Sequence, residues 1–159
     1  MRITVVHDSQ QGNGAHLADI MKHEFEQAGH EVQLGHVSEL APEAVAGTGP
    51  DLVVIGMAIR KFVASPQTKR WVRSLDRALR GRGATVSHAA LFMTHGLPIH
   101  VAGRWAERFQ RRLSRQRSLE KLYPEWLSGR VTAPTGPLEE GAEERCREHA
   151  RALMAWVAG

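Results

Sequence analysis

The clearest chemical signal in the chain is a run of small and amide-bearing residues, Ser9, Gln10, Gln11, Gly12, Asn13 and Gly14, placed directly after the apolar stretch Ile3 to Val6. A long amphipathic pattern follows, so the run reads as a tight loop that carries a buried strand into a helix. The first backbone N–H groups of a helix lack intrahelical partners and lie at the positive end of its dipole. Such a junction can hold a phosphate, and Ser9 with the Gln10 and Gln11 amides adds side-chain donors. Strand-to-helix turns need glycine whatever they bind, so a purely structural turn is the plain alternative.

Other candidate groups carry less. His7, His95 and His100 fall near strand ends, but no Asp, Glu or Cys spacing completes a metal site, and none is expected. Cys146 is the single cysteine, in step with Ala150, Leu153 and Val157, which is the pattern of a core position. Arg104, Arg108, Arg111, Arg112 and Arg115 crowd one segment with Arg117 and Lys121, against only Glu107 and Glu120. An anionic partner would dock there. Their alternation with Trp105 and Phe109 reads as core packing first, which disfavours nucleic acid.

The elements that must position these residues follow from periodicity. Apolar β-type runs are expected at Arg2 to His7, Glu31 to Val37, Leu52 to Ile55, His88 to Thr94 and Arg130 to Ala133. Helical periods lie between them. One buries Leu17, Ile20, Met21, Phe25 and Ala28 and closes at Gly29; a short turn or helix covers Glu39 to Ala46. Pro66 opens another helix, which buries Trp71, Val72, Leu75, Ala78 and Leu79 and ends at Gly81 and Gly83. A loop from His95 to Ala102 leads into the arginine-rich helix, Pro124 breaks the pattern, and Glu139 to Ala158 forms the last helix. Leu52 to Ile55 is apolar at every position and breaks at Gly56, as a central strand covered on both faces would. The expectation is an α/β fold with five parallel strands, doubly wound in the order 2-1-3-4-5, in one domain over residues 1–159.

The composition agrees with such a domain: 42% of 159 residues are hydrophobic, which is enough for a real core. No apolar run is long enough to span a bilayer, and Met1-Arg2 leads straight into strand-like sequence, so a cytoplasmic protein without a transmembrane segment is expected. With 21 Lys and Arg against 17 Asp and Glu the chain is basic, which favours acidic partners without naming one. Ligands of open parallel sheets bind beyond the carboxyl ends of the strands, where the winding reverses. Three loops should meet there, at Ser9 to Gly14, Gly56 to Ser65 and Thr94 to Ala102.

With this order the chain resembles the flavodoxin family over nearly its whole length. Ser9 and Gly12-Asn13 look like the family's phosphate loop, with Gln11 and Gly14 where Thr or Ser usually stands; weaker phosphate binding follows from those two changes. Ile55-Gly56-Met57-Ala58-Ile59-Arg60 looks like the flavin loop of the flavodoxin-like protoporphyrinogen oxidases, with Lys61-Phe62 in place of Tyr-Gly. The resemblance implies FMN, held by Ser9, Gln10, Gln11, Gly12, Asn13 and Gly14 and walled by Met57, Ala58, Ile59, Arg60, Thr94, His95 and Gly96, with Phe62 as a further apolar wall. The chain's one tyrosine, Tyr123, lies far downstream, so no ring-stacking tyrosine is legible. A signal-receiver domain shares this order of elements. It would need a phosphoacceptor Asp where Gly56 stands and a Lys after the last strand, so Asp8 alone does not support it.

The implied function is electron transfer by bound flavin, exchanged with a redox partner protein or a quinone, with no catalytic base. Arg60, Lys61 or His95 should then stabilise the reduced, anionic flavin. Two alternatives remain. One is a flavin-dependent oxidoreductase of the protoporphyrinogen-oxidase type, in which the arginine-rich helix receives an anionic substrate or a membrane surface. The other is a flavodoxin fold that has lost FMN and serves as a binding module.

Overall fold

The computed structural model describes residues 1–159. Parallel strands β1 (Arg2–His7), β2 (Glu31–His36), β3 (Leu52–Arg60), β5 (Val86–His95) and β6 (Leu119–Arg130) lie in the order β2-β1-β3-β5-β6, and the two-residue strand β4 (Val63–Ala64) folds back antiparallel on β3. Helices α1 (Asn13–Gln27), α2 (Pro42–Thr48), α3 (Pro66–Gly81), α4 (Ile99–Leu113) and α5 (Ala142–Ala158) connect them. Set apart from the small β4, this is the doubly wound order 2-1-3-4-5 expected from the sequence.

Strand periodicity sorts the core into two layers. Val53, Ile55, Met57 and Leu91 face α3 and α4 and pack with Trp71, Leu75 and Phe109. Leu52, Val54, Ala90 and Phe92 face α1 and α5 and pack with Leu17, Met21, Phe25, Cys146 and Leu153. Cys146 is the core residue its spacing implies: its Sγ donates to the Leu17 carbonyl at 3.5 Å, and burial pushes the thiol pKa up to about 12. No helix is long and apolar enough to cross a membrane.

Several boundaries differ from expectation for identifiable reasons. β3 runs through Gly56 to Arg60, because Phe92 of the next strand lies against Gly56 so closely that a Cβ there would meet its Cζ at 2.1 Å. The glycine makes room for a ring and does not end the strand. The last parallel strand is Leu119–Arg130, not Arg130 to Ala133. Pro124 is tolerated inside it because β6 is an edge strand, and the register against β5 shifts by two residues between the pairs Ala89↔Leu122 and Leu91↔Trp126. α4 begins at Ile99, inside the expected loop from His95 to Ala102. α5 begins at Ala142 and not at Glu139, after Gly141 in the left-handed conformation, and Ala28 is an exposed cap beyond α1 and not part of its buried face.

Candidate functional site

From β1 the chain crosses to β2 on one side and from β3 to β5 on the other, so the connections leaving the carboxyl ends of β1 and β3 diverge and leave a crevice. A cleft of about 580 Å3 opens there, a size that suits a cofactor. Its walls come from four segments: Ser9 to Gly14, Ala58 to Phe62, Thr94 to Leu97, and Val131 to Pro134.

The first wall starts where β1 ends. The Ser9 N–H donates to His7 Nδ1 at 3.2 Å and the Gly12 N–H to Ser9 Oγ at 3.0 Å, which curls the loop tightly. Gly12 takes φ 90 at the N-cap, a conformation that favours glycine, and no side chain caps α1. The first intrahelical bond runs from His16 N–H to the Gly12 carbonyl, so the amides of Asn13, Gly14 and Ala15 have no partner in the helix. Gly14 brings this end of the helix close in: a Cβ there would lie 3.3 Å from Ser9 Cβ and 3.8 Å from Thr94 Cγ2.

The second wall is the β3–β4 hairpin. Its two-residue turn is Lys61-Phe62, with φ 48 and φ 60, left-handed values at two consecutive non-glycine residues. The turn holds Phe62 out into solvent at 67% exposure, on the cleft's rim. Below it, the Asp8 carboxylate, 2% exposed, accepts the Ala58 N–H at 2.9 Å and the Thr68 hydroxyl at 3.0 Å. It lies 3.7 Å from Arg60 Nη1, while Arg60 Nη2 donates to the Asp8 carbonyl at 2.5 Å. Arg60 therefore reaches the cleft already paired.

In the third wall, His95 lines the floor from a buried position. Its Nε2 is 2.7 Å from Ser128 Oγ and its Nδ1 lies beside the Leu97 N–H and carbonyl at 3.2 and 3.1 Å. Burial lowers its pKa most; the Leu97 carbonyl raises it by less and Arg130 lowers it further. His95 is thus neutral at neutral pH, and of the three groups expected to offer positive charge only Lys61 is exposed and without a carboxylate partner. His7 is likewise held low, by burial and then by His36, whose ring stands edge-on at 5.4 Å. No group of His, Cys, Asp and Glu is arranged to hold a metal ion.

Of the residues named from the sequence, Ser9, Gln10, Gln11, Asn13, Gly14, Ala58, Ile59, Arg60, Thr94, His95 and Gly96 line the cleft together. Gly12 and Met57 do not. Gly12 turns the backbone beneath the loop, and Met57, two residues before Ile59 on the same face of β3, lies deeper along the strand, 1% exposed in the core under α3 and α4. Tyr123 is far from the cleft, packed on His149 and Trp156, and Trp105 lies under the Arg108 guanidinium. The fourth wall, Val131 to Pro134, is a loop after β6 where a strand at 130–133 is expected; Pro134, Gly136 and Pro137 are the turn residues that mark it.

No protein-family model matches the chain, and no curated protein matches it in sequence. Solved structures do match in shape. Oxidised flavodoxin 2 from Bacillus cereus superposes with TM-score 0.75 at 18% identity over 98% of this chain and 99% of that one. The flavodoxin, WrbA-like protein from Agrobacterium tumefaciens gives 0.71 at 12% identity over 99% and 97%. Rubredoxin oxygen:oxidoreductase from Desulfovibrio gigas gives 0.67 at 14% identity over 99% of this chain and 37% of that one. At these identities the likeness is one of fold: the chain has the flavodoxin-like fold.

Proposed function

We propose that this flavodoxin-like fold holds FMN in the cleft between β1, β3 and β5 and serves as an electron-transfer protein. The observation that carries the reading is the pairing of opposite chemistries at the two ends of one cleft. At one end the amides of Asn13, Gly14 and Ala15 lack helical partners, beside the Ser9, Gln10 and Gln11 side chains. At the other, Ile59, Phe62 and Leu97 offer apolar surface. A phosphate suits the first end and a flat, apolar ring the second.

Bound there, the flavin would supply the one- and two-electron chemistry. The protein's residues would fix and bias it. Ser9 and the helix start would hold the phosphate, Phe62 would cover one side of the ring, and Thr94 to Leu97 would border its edge. Lys61 would be the full positive charge nearest the ring, since Arg60 is neutralised by Asp8 and His95 by burial. The electron donor and acceptor, a protein or a quinone, would meet the exposed rim of the cleft.

An FMN titration of the purified apoprotein, followed by flavin fluorescence with riboflavin in parallel, tests this. The expected outcome is saturable FMN binding that weakens at least roughly tenfold with riboflavin, which lacks the phosphate. Absence of binding by either flavin would overturn the reading and favour a fold that serves as a binding module.

A further inference from the structure

The charge of the chain is divided by its sheet. Between Pro66 and Arg117 there are twelve Lys and Arg against Asp76 and Glu107, while the rest of the chain carries nine against fifteen. α3 and α4 cover the same core layer, and Lys69 of α3 lies near Arg112 and Arg108 of α4, whose like charges add to burial in lowering its pKa. Arg70, Arg73 and Arg77 form one exposed stripe on α3; Arg104, Arg108 and Arg111 form another on α4. None of these six reaches a carboxylate within 4.0 Å, and the ion pair on this face joins only Arg80 to Asp76. The opposite face is different. There Arg151 pairs with Glu24 at 2.9 Å, Arg147 with Glu144 at 3.1 Å and Lys22 with Glu26 at 3.5 Å.

We propose that the α3–α4 face docks the protein on an anionic lipid bilayer. Two helices on one face of the sheet, about 24 and 22 Å long, present stripes of one sign of charge, which matches a plane of headgroups. A protein partner presents mixed charges, and this face offers almost no carboxylates to meet them. Single-stranded nucleic acid needs a row of exposed aromatic platforms; on α3 and α4 Trp71 and Phe109 are buried and Trp105 lies beneath Arg108 at 5.5 Å, and Phe62 alone stands exposed, on the cleft rim. Two exposed apolar residues stand at the cleft end of the face, Ile99 at the start of α4 with 58% exposure and Val63 in the hairpin with 54%. These side chains would enter the headgroup boundary while the arginines stay at the phosphates. Docking would set the rim of the cleft at bilayer level, within reach of a lipid-soluble electron carrier; this last consequence rests on the flavin reading, and the docking itself does not.

The test is co-sedimentation with phosphatidylcholine vesicles containing about 30 mol % phosphatidylglycerol, against phosphatidylcholine alone, at about 0.15 M salt. The protein should partition onto the anionic vesicles only. Arg104→Glu with Arg111→Glu should reduce partition roughly tenfold or more, and Lys22→Glu with Arg147→Glu, an equal change in net charge on the opposite face, should not. Ile99→Ser, a single exposed change, should weaken it a fewfold if the charge-reversal variant fails to fold. No partition at this salt would overturn the proposal. So would equal loss in both double variants, or preferential capture of a DNA duplex added as competitor. Vesicle binding needs no flavin, so its failure is read separately from that of the FMN titration.

Discussion

Asp8 and Arg60 hold each other at the mouth of the cleft through both backbone and side chain: Arg60 Nη2 donates to the Asp8 carbonyl at 2.5 Å, and Nη1 lies 3.7 Å from Oδ2. The two ends of the pair are unequal. Asp8 is 2% exposed and also binds the Ala58 N–H and the Thr68 hydroxyl, whereas the Arg60 side chain is 33% exposed. The carboxylate is therefore the anchor, tying β1 to β3 and α3, and the arginine is its partly solvated counterion. Asp8→Asn should lower stability by roughly 2 kcal/mol, because one oxygen becomes a donor facing Thr68 and Arg60. Arg60→Ala should cost less, since both hydrogen bonds to the carboxylate survive. Urea unfolding of the two variants measures the order; equal losses would make the ion pair, and not the hydrogen bonds, the anchor.

The same pairing changes which charge should govern a bound flavin. Arg60 is balanced by Asp8, and burial keeps His95 neutral, so Lys61 is left as the unpaired cation at the rim. Lys61→Ala should lower the potential of the second electron by about 1 kcal/mol, or about 40 mV. Arg60→Ala should shift it less. Redox titration of the FMN-loaded variants reads both, and a larger shift in the Arg60 variant would contradict this assignment.

Phe62 sets stability against binding. It occupies a left-handed conformation with φ 60 and exposes most of its ring, a combination that helps neither the turn nor the core. Phe62→Gly should raise stability by roughly 1 kcal/mol by relieving the turn, while weakening FMN and riboflavin alike by removing an apolar wall. Thermal unfolding of the apoprotein and flavin titration, run on the same variant, should therefore move in opposite directions. A variant that binds flavin as well as the parent would show that the ring of Phe62 is not part of the site.

Gly56 should be among the least replaceable positions of the sheet. A Cβ there would overlap three ring atoms of Phe92, at 2.1, 2.6 and 2.7 Å, with both residues in the interior of adjacent strands. Gly56→Ala should destabilise by about 3 kcal/mol, and Phe92→Leu in the same chain should restore part of the loss. Non-additivity in a double-mutant cycle on unfolding free energies is the signature of this contact.

The residues that resisted a sequence reading share one cause, which is that their roles depend on a neighbour distant in the chain. Alternating and helical periods gave the element order because burial imposes them locally, from Val53 and Ile55 in β3 to Trp71 and Leu75 in α3. Gly56 looked like a strand end because nothing near it announces Phe92. Pro124 looked like a break because only the pairing pattern reveals that its strand lies at the sheet edge. The site was legible for the converse reason. Ser9 to Gly14 and Thr94 to Gly96 follow directly from strand ends, and the parallel sheet brings those ends together. Met57 shares its face of β3 with Ile59, which does line the cleft, and only its greater depth along the strand puts it in the core; alternation gives the face of a strand residue and not its depth.

Acid should weaken the fold through His149. Its ring lies edge-on to Tyr123 at 5.4 Å, its Nε2 is buried without a hydrogen-bond partner, and burial pulls its pKa from 6.5 down to about 4. Between those values the unfolded chain binds a proton that the folded chain excludes, so stability is complete above the upper value and is lost as pH falls toward the lower. The loss from this group amounts to at most about 3 kcal/mol. His7, His30, His88 and His95 are lowered in the same direction and add to the slope. His149→Leu, which keeps the volume but cannot titrate, should match the parent near neutral pH within about 1 kcal/mol and exceed its stability at about pH 4.5. Urea midpoints at the two pH values decide it. Parallel losses in parent and variant would assign the acid sensitivity to the other four lowered histidines; a shallower slope in the variant locates it at the contact between α5 and the edge strand, where His149 meets Tyr123.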